Sequence, residues 1–365
     1  MYRSFEVRNF RCFEDLKIGG LRRINLISGM NNVGKTAFLE ALFVHCGAYN
    51  PGLVLRVNSL RGVEVIEIEM AKWGGTPWDS IFFDFRTAET VELIGENDKT
   101  GHRIVRLRIL REPKDLEGVP SQIYPEKDVF VAGQPSIIPT IPGFARVLEL
   151  DYEERENSGR SFMILDNKGM RVEPFSPSPP FQTFFQTAWM LPNVQEQAKF
   201  YGNLVARGEE DFLLQALRLI EPRLRRIETI VVAERAILHG NIGIGKLIPL
   251  AFLGGGMARL TNLILYIANA QDGVVLIDEI ENGLHHSVMP KVWQAIGDAA
   301  HHFNTQLFAT THSFECIKAA HTGLLESKSY DFRLHRLERV KDTIGALSYD
   351  QENLESAIEQ GLEVR

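Results

Sequence analysis

Hydrophobic and polar residues alternate in short runs over much of the first half of the chain. Tyr2–Asn9 alternates in the manner of a β-strand. Prolines and glycines crowd between Glu112 and Gly143, which predicts an irregular connection. Further alternating runs are short and separated by turn residues, which predicts an antiparallel β layer. These runs are Glu64–Glu69, Phe82–Phe85, Val91–Leu93 and Ile104–Leu110. Two more strand-like runs are Val147–Tyr152 and Ser161–Leu165.

The pattern changes in the second half of the chain. From about Thr183 to Leu238 the apolar residues recur at helical spacing. After Asp272 the order strand, helix, strand returns, and the chain ends in a short helix with Asp350 as N-cap and Gly361 after its last turn. These later elements are predicted at Val274–Ile277, Ser287–Phe303, Gln306–Thr310 and Asp350–Gly361.

A glycine-rich motif, GMNNVGKT, follows the apolar run Ile24–Ser28 and precedes a helical pattern. It fits the phosphate-binding pattern G-x-x-x-x-G-K-[ST], in which glycines let backbone N–H groups point at phosphate oxygens. We expect Lys35 to reach the β- and γ-phosphates and the Thr36 hydroxyl to ligate Mg²⁺. The residues predicted to contact ATP are Gly29, Asn31, Asn32, Val33, Gly34, Lys35, Thr36 and Ala37.

A second motif, LIDEIENGL, places two acids after the buried strand Val274–Ile277. An acid at the carboxyl end of a parallel strand lies beside the phosphate loop, so Asp278 is predicted to hold Mg²⁺. Glu279 is then placed to orient or deprotonate the attacking water. Roughly 240 positions separate Lys35 from Asp278, a spacing that disfavours small GTPases and AAA+ enzymes. A GTPase should also carry the base-reading motif N-K-x-D. The nearest match, at Asn167–Met170, lacks the aspartate.

Composition and charge restrict the remaining choices. The chain has 365 residues, 44% hydrophobic content, a net charge of -7 and three cysteines far apart in sequence. This composition predicts a globular cytoplasmic protein without a disulfide framework or zinc cluster. No apolar stretch is long enough for a membrane span, so we expect no membrane association. The acidic balance disfavours a large basic surface for nucleic acid, and local basic clusters leave DNA binding open.

Four segments together carry a family resemblance: FEVRNFRCFEDL, GMNNVGKTAFLEALF, LIDEIENGLHH and FATTHS. They resemble the ABC-type ATPase heads of the RecF, SMC and OLD group, most closely the bacterial OLD-like predicted ATPases that lack a Toprim domain. The resemblance implies an α/β P-loop head with a mostly parallel core sheet, an antiparallel β layer and a helical subdomain. It implies one domain over 1–365, with a nucleotide-binding core at 1–50 and 240–365, a β-rich lobe at 51–175 and a helical lobe at 176–239.

The same resemblance implies roles for single residues. His312 resembles the switch histidine that contacts the γ-phosphate, and it joins Glu279 and Lys35 as a catalytic residue. The segment LGGGM resembles the signature motif, which in this family closes the site of the opposite subunit with glycine amides. Its glycines are Gly254, Gly255 and Gly256, and Gly254 stands where the signature serine belongs. Arg11 resembles an arginine that contacts nucleotide.

Two further segments of the resemblance are less complete. The segment from Glu281 to His285 resembles the D-loop, which communicates between subunits. The middle of the chain offers no clear choice for the Q-loop glutamine of the family.

The predicted function is Mg²⁺-dependent ATP hydrolysis coupled to closure of a homodimer or higher oligomer. OLD proteins carry a Toprim nuclease with a D-x-D metal site, whereas about fifty residues follow His312 and no D-x-D occurs. We therefore expect the ATPase to gate a separate nuclease or effector, with defence against phage as the context. Two alternatives stay open: a DNA-repair or chromosome-associated ATPase like RecF and SMC, and a nucleotide-gated scaffold with little turnover.

Overall fold

Two compact units make up the chain in a computed structural model that describes residues 1–61, 76–111, 146–155, 157–166, 169–174, 178–188, 193–327 and 329–365. The core unit comprises Met1–Ser4, Ile18–Leu39 and Phe181–Arg365. The β unit comprises Phe5–Lys17 and Glu40–Pro180. Within the described ranges, no helix is both long and apolar enough to cross a membrane.

Strands and helices alternate along the core unit, whereas strands dominate the β unit. The strands, in chain order, are β1 (Tyr2–Phe10), β2 (Phe13–Gly19), β3 (Ile24–Ser28), β4 (Val91–Asn97), β5 (Gly101–Leu110), β6 (Arg146–Glu154), β7 (Asn157–Asp166), β8 (Gly169–Glu173), β9 (Thr183–Gln186), β10 (Arg226–Val232), β11 (Arg235–Asn241), β12 (Ile248–Pro249), β13 (Val274–Ile277), β14 (Gln306–Thr310), β15 (Phe332–Val340) and β16 (Thr343–Tyr349). The α-helices are α1 (Lys35–Cys46), α2 (Leu53–Ser59), α3 (Val194–Arg207), α4 (Glu210–Arg218), α5 (Gly255–Asn269), α6 (Met289–His302), α7 (Phe314–Leu325) and α8 (Gln351–Glu359).

A six-stranded sheet forms the centre of the core unit, in the order β16-β15-β3-β14-β13-β9. Every neighbouring pair is parallel except β15 and β16. Strands β3, β13 and β14 are buried at every position, as expected for parallel strands covered on both faces. The predicted mostly parallel sheet is therefore confirmed, and the carboxyl ends of β3, β9, β13 and β14 share one edge.

Helix α5 is the most deeply buried helix described in the core unit. Eleven of its residues are buried, including Leu260, Leu263 and Ile264, and it packs against α3, α4 and α6. A helix that is apolar on nearly every side must lie inside a domain rather than on its surface. The signature-like glycines therefore lie at the first turn of a helix that is packed inside the core.

The β unit holds a seven-stranded sheet in the order β2-β1-β4-β5-β6-β7-β8. Strands β4 to β8 are joined as successive antiparallel pairs, which confirms the predicted antiparallel layer. Arg103 is fully buried in this unit, and each end of its guanidinium is paired: Nε donates to Glu154 Oε2 at 2.6 Å and Nη1 to the His45 carbonyl at 3.2 Å. Burial lowers the pKa of His45 to about 3, so this histidine is neutral.

The helical prediction for Thr183–Leu238 is correct only for its middle, where α3 and α4 lie. Its start is strand β9, and its end is a hairpin of β10 and β11 with Val232 opposite Arg235. The two turn residues, Ala233 and Glu234, both have positive φ (47° and 65°), as a two-residue type I′ turn requires. Asparagine and glycine usually mark such turns, so the sequence Ala-Glu gave no local signal of a hairpin.

The predicted strand near Phe82–Phe85 is wrong. Short 3₁₀ turns occupy Asp79–Ile81 and Phe83–Phe85. Asp84 and Phe85 have left-handed φ values of 48° and 56°, which no extended strand accommodates. An apolar-rich run is ambiguous between a strand and a buried turn because both bury side chains.

Other local predictions have different outcomes. Asp350 Oδ1 accepts the Asn353 N–H at 3.0 Å, and Gly361 follows the last helix with φ 66°, so the predicted cap and stop are confirmed. The hairpin of β15 and β16 was not predicted. The predicted strand Glu64–Glu69 and the irregular connection Glu112–Gly143 lie outside the described residues.

Two helical glycines provide a test of packing in the core unit. A Cβ on Gly323 in α7 would collide with the backbone carbonyl of Pro290, whereas a Cβ on Gly202 in α3 would meet nothing within 4 Å. We expect Gly323→Ala to lower the free energy of unfolding by about 1 to 3 kcal/mol through overpacking. Gly202→Ala, the matched control, should raise it by about 0.5 to 1 kcal/mol because alanine favours helix. Urea denaturation measures both; equal effects would contradict the α6–α7 packing.

Candidate nucleotide site

The phosphate-binding loop lies between buried strand β3 and helix α1, as the sequence predicts. Gly29 has φ 143° and Gly34 has φ 91°, values that side chains rarely tolerate. A Cβ on Gly29 would approach the Leu337 carbonyl oxygen to 2.5 Å, so no other residue fits at this point. Asn32 also has positive φ (64°), while the Val33 and Ala37 side chains are buried beneath the loop.

Lys35 is folded over its own loop. Its Nζ donates to the carbonyl oxygens of Gly29 at 2.7 Å and of Met30 at 2.9 Å. Burial lowers the pKa of Lys35, and the charge of Asp278 opposes that shift. Among the described residues this buried lysine is held by neutral carbonyls, which fits an anionic ligand, because phosphate oxygens would compensate its charge more fully.

Asp278 joins the ends of three segments. Thr36 Oγ1 donates to its two carboxylate oxygens at 3.1 and 3.0 Å, and Thr310 Oγ1 donates to Oδ1 at 2.6 Å. Burial raises the pKa of Asp278, and the hydrogen bonds from Thr310 and Thr36 act against that rise. Thr36 and Asp278 are 242 positions apart in sequence and were predicted to share one site. They are in direct contact. A hydroxyl and a carboxylate together are oxygen ligands of the kind that Mg²⁺ prefers.

Glu279 is held in an uncommon backbone conformation, with φ 47°. Its N–H donates to Thr310 Oγ1 at 2.8 Å, and its Oε2 accepts from Asn282 Nδ2 at 2.8 Å. The Nδ1 of His312 lies 3.9 Å from its Oε1. The structure thus brings together the two residues predicted to act on the water and on the γ-phosphate, although their roles stay predictions.

Glu281 lies at the centre of the site, where the sequence placed it only in a D-loop-like segment. Its Oε1 accepts from Thr311 Oγ1 at 2.7 Å and from the His312 N–H at 3.0 Å. The His312 Nδ1 is 3.4 Å from the same oxygen. Because this carboxylate is nearly buried, it fixes the backbone after β14 and the direction of the His312 ring.

Gln186 was missed by the sequence analysis. It ends β9, which pairs with β13 so that Gln186 lies opposite Ile277, and its carbonyl accepts the Asp278 N–H at 2.9 Å. The residue is 1% exposed, yet neither side-chain amide atom has a hydrogen-bond partner among the described residues. The sequence signal was a glutamine ending the apolar run TFFQ, and only the sheet order shows that this run neighbours β13.

Gly254, Gly255 and Gly256 lie at the start of α5. Gly254 has φ 115°, and a Cβ there would meet nothing within 4 Å. A Cβ on Gly255 would contact the Gly283 carbonyl at 3.6 Å, so the glycines lie beside the D-loop-like segment of the same chain. Their contact with nucleotide stays a prediction.

Arg11 belongs to the β unit and is already paired there. Its Nε donates to Glu40 Oε2 at 3.1 Å, Nη1 to the Ser80 carbonyl at 3.2 Å and Nη2 to Asn58 Oδ1 at 2.7 Å. All three guanidinium nitrogens are therefore engaged within this unit. A contact between Arg11 and nucleotide remains a prediction that requires some of these bonds to open.

Comparison with protein families decides the class. A family model described as "AAA domain, putative AbiEii toxin, Type IV TA system" matches residues 24–316, a range that contains the phosphate loop, Asp278 and His312. The chain belongs to this family. Together with the site geometry, this membership confirms the prediction of an ATP-binding, ABC-type ATPase.

Individual relatives cover different shares of the chain. An "ATP/GTP phosphatase" of Helicobacter pylori is 24% identical over 386 residues, covering 97% of each chain. A "DNA replication and repair protein RecF" of Thioalkalivibrio sulfidiphilus is 27% identical over 139 residues, covering 36% of this chain and 34% of that protein. Among solved structures, a Smc head bound to the C-winged helix domain of ScpA gives a TM-score of 0.49 at 12% identity, covering 98% of this chain and 99% of that one. The Thermotoga maritima SMC head domain gives 0.41 at 12% identity, with 96% and 99% covered.

Removal of the Lys35 charge tests the phosphate loop. We expect Lys35→Ala to lower ATP turnover by about 10²- to 10³-fold, since one preorganised electrostatic contact to the reacting phosphate is lost. Phosphate release at saturating ATP measures this effect. Lys341→Ala, at an exposed lysine, is the control and should retain full turnover; a Lys35→Ala enzyme as active as this control would refute the assignment.

Gln186 allows stability and activity to be separated. Gln186→Met keeps the volume and removes two buried polar atoms that lack partners, so the free energy of unfolding should stay equal or rise by about 1 kcal/mol. ATP turnover should fall, because a buried polar group at the end of β9, the strand next to β13, is then absent. Thermal unfolding and phosphate release are measured on the same sample. A less stable protein with unchanged turnover would show that the amide has only a structural role.

Proposed function

We propose that the chain is a Mg²⁺-dependent ATPase whose two copies close over two ATP molecules, and that closure gates a separate effector or nuclease. One observation carries the chemical part: Asp278 accepts hydrogen bonds from Thr36 and Thr310 where three parallel strands end. Glu279 follows directly and is fixed by Thr310 and Asn282. A cluster of this composition at the end of a phosphate loop supports phosphoryl transfer to water.

Each residue of the cluster has a distinct role in the proposed reaction. Thr36 and Asp278 would hold Mg²⁺, which when bound offsets the negative charge of the β- and γ-phosphates. Lys35 exchanges its two loop carbonyls for phosphate oxygens. Glu279 accepts a hydrogen bond from the attacking water and orients it. His312, whose ring is directed by Glu281, donates to the γ-phosphate.

The proposed dimer rests on two exposed surfaces of the core unit. The first amides of α5 follow Gly254 and have no partners within their own helix, so they are suited to bind an anion. Phe252, two residues before Gly254, is 79% exposed, and Met30 in the phosphate loop is 75% exposed. In a head-to-head pair, the signature-like segment of one copy covers the phosphate loop of the other, which buries both apolar side chains. A homodimer is the smallest assembly that satisfies this arrangement, and higher oligomers contain it.

The biological part of the proposal is an ATP-driven switch of the OLD-like subgroup. The family description refers to a toxin and a type IV toxin–antitoxin system, and a relative that matches nearly the whole chain bears the name ATP/GTP phosphatase. The relative's name supports ATP hydrolysis, and the family description supports a link to a toxic activity. In our proposal the ATPase controls a toxic or nucleolytic partner, with defence against phage as its setting. The partner recognises the ATP-bound dimer in this scheme.

The partial similarity to a RecF protein favours one other candidate function, an ATPase of DNA repair or chromosome maintenance. Duplex DNA would then bind across the dimer and stimulate hydrolysis. Because phosphate contacts release counterions, that stimulation would fall steeply with salt concentration. Stimulation of this kind would favour the DNA-bound role over gating of a separate effector.

Glu279→Gln tests both the chemistry and the dimer. The amide cannot act as a base, so ATP should bind with similar affinity while turnover falls by about 10²-fold or more. Uncleaved ATP should then hold the two copies together, and mass photometry with ATP and Mg²⁺ should show a dimer. Phosphate release is recorded on the same preparation.

The control is Glu352→Gln, a change at an exposed glutamate of α8, which should hydrolyse ATP at the wild-type rate without accumulating as a dimer. A Glu279→Gln protein that binds ATP but remains monomeric at every concentration would refute the closure model. Retention of wild-type turnover would refute the role of Glu279.

A further inference from the structure

Arg259 is a buried cation on the helix that begins with the signature-like glycines. It lies on α5, about one turn after Gly255, and is 8% exposed. Its Nη2 donates to the Glu279 carbonyl at 3.4 Å, and its Nε has no hydrogen-bond partner among the described residues. Burial lowers the pKa of this guanidinium, and the charge of Glu281 opposes that shift. Among the residues that the structure describes, no ion pair offsets the cost of burying this arginine.

The contrast with Arg103 shows what a structural buried arginine looks like in this chain. Arg103 is fully buried, and Glu154 and backbone oxygen neutralise its guanidinium. Within the described ranges, the Arg259 guanidinium makes one long hydrogen bond, to a neutral carbonyl. A guanidinium that is retained without good pairing is poorly explained by stability, because an apolar side chain of similar size would be cheaper to bury.

The carboxylate of Glu281 also lacks a hydrogen-bond partner at one oxygen among the described residues. One carboxylate oxygen accepts from Thr311 and His312, while Oε2 is buried without a partner among the described residues. Arg259 Nε and Glu281 Oε2 are thus a cationic nitrogen and an anionic oxygen of the same unit that both lack hydrogen-bond partners among the described residues. The charge of Glu281 acts on the Arg259 guanidinium.

The backbone of Glu279 is the point on which these contacts act. A non-glycine residue with φ 47° is strained and needs its surroundings to hold it. Thr310 Oγ1 accepts the Glu279 N–H, and Arg259 donates to the Glu279 carbonyl. The peptide groups on both sides of the proposed water-orienting side chain are therefore held, one by β14 and the other by α5.

We propose that Arg259 is a positioning residue that holds the main chain of Glu279 and so ties the direction of its carboxylate to the position of helix α5. The inference rests on the proposed function, in which Glu279 orients water and the start of α5 contacts the nucleotide held by the partner copy. When α5 of one copy closes over the ATP held by its partner, it would then position Glu279 at the ATP held by its own copy. Arg259 acts on hydrolysis and leaves ATP binding unchanged.

Arg259→Met tests this role because it keeps the volume and removes the unpaired charge. The variant should fold with a Tm equal to or above that of wild type, bind ATP with a Kd within about threefold and lose at least tenfold in kcat. Arg259→Lys keeps a donor and should recover part of the lost kcat. Arg226→Met, at an arginine paired with Glu228 on the surface, is the control and should leave every value unchanged.

A double variant distinguishes positioning from general structural damage. If Arg259 acts through Glu279, adding Arg259→Met to Glu279→Gln should leave the residual rate of Glu279→Gln unchanged. Multiplied losses, or a fall of Tm that accompanies the fall of kcat, would overturn the proposal, as would a normal kcat in Arg259→Met. If Glu279→Gln alone keeps wild-type turnover, the proposed function fails. If Glu279→Gln is inactive and Arg259→Met is normal, only the inference about Arg259 fails.

Discussion

The buried carboxylate of Asp278 is the constraint on which the nucleotide site depends. It accepts hydrogen bonds from the first turn of α1 and from the end of β14 while it follows β13 directly. Three loops that are far apart in sequence are thereby held at one edge of the sheet. Burial of an acid is costly, and the hydroxyl donors that offset this cost also hold the phosphate loop near Glu279, the proposed water-orienting residue.

Two groups of buried polar side chains differ in how completely they are paired. Inside the β unit, Arg103 pairs with Glu154 and Arg11 pairs with Glu40. These ion pairs offset the cost of burying the charges. Gln186, Arg259 and Glu281 each keep at least one buried atom without a partner among the described residues. These three lie next to Asp278 or Glu279 in the core unit. In the proposed function, the missing partners of these three groups belong to the reaction.

The sequence predicted what local pattern determines and missed what depends on the neighbours in the sheet. The contact between Thr36 and Asp278 could be foreseen because each residue ends or follows a recognisable apolar strand. Gln186 could not, since nothing in TFFQ reveals that this run pairs with β13. The prediction of helix over β10 and β11 is wrong because the turn of this hairpin is Ala233-Glu234, a pair without turn propensity. Nothing in the sequence around Arg259 indicates that its side chain is buried.

Strand β9 has a consequence for how the site opens. It has four residues and lies at the edge of its sheet, where β13 is its one partner among the described strands, whereas β3 and β14 have strands on both sides. Local opening of an edge strand costs less free energy than opening of a central one. Backbone amides of β9 should therefore exchange with solvent through small fluctuations that leave β3 and β14 closed. Such fluctuations would move Gln186 away from Asp278 while the phosphate loop keeps its shape, so the two halves of the site have different stabilities.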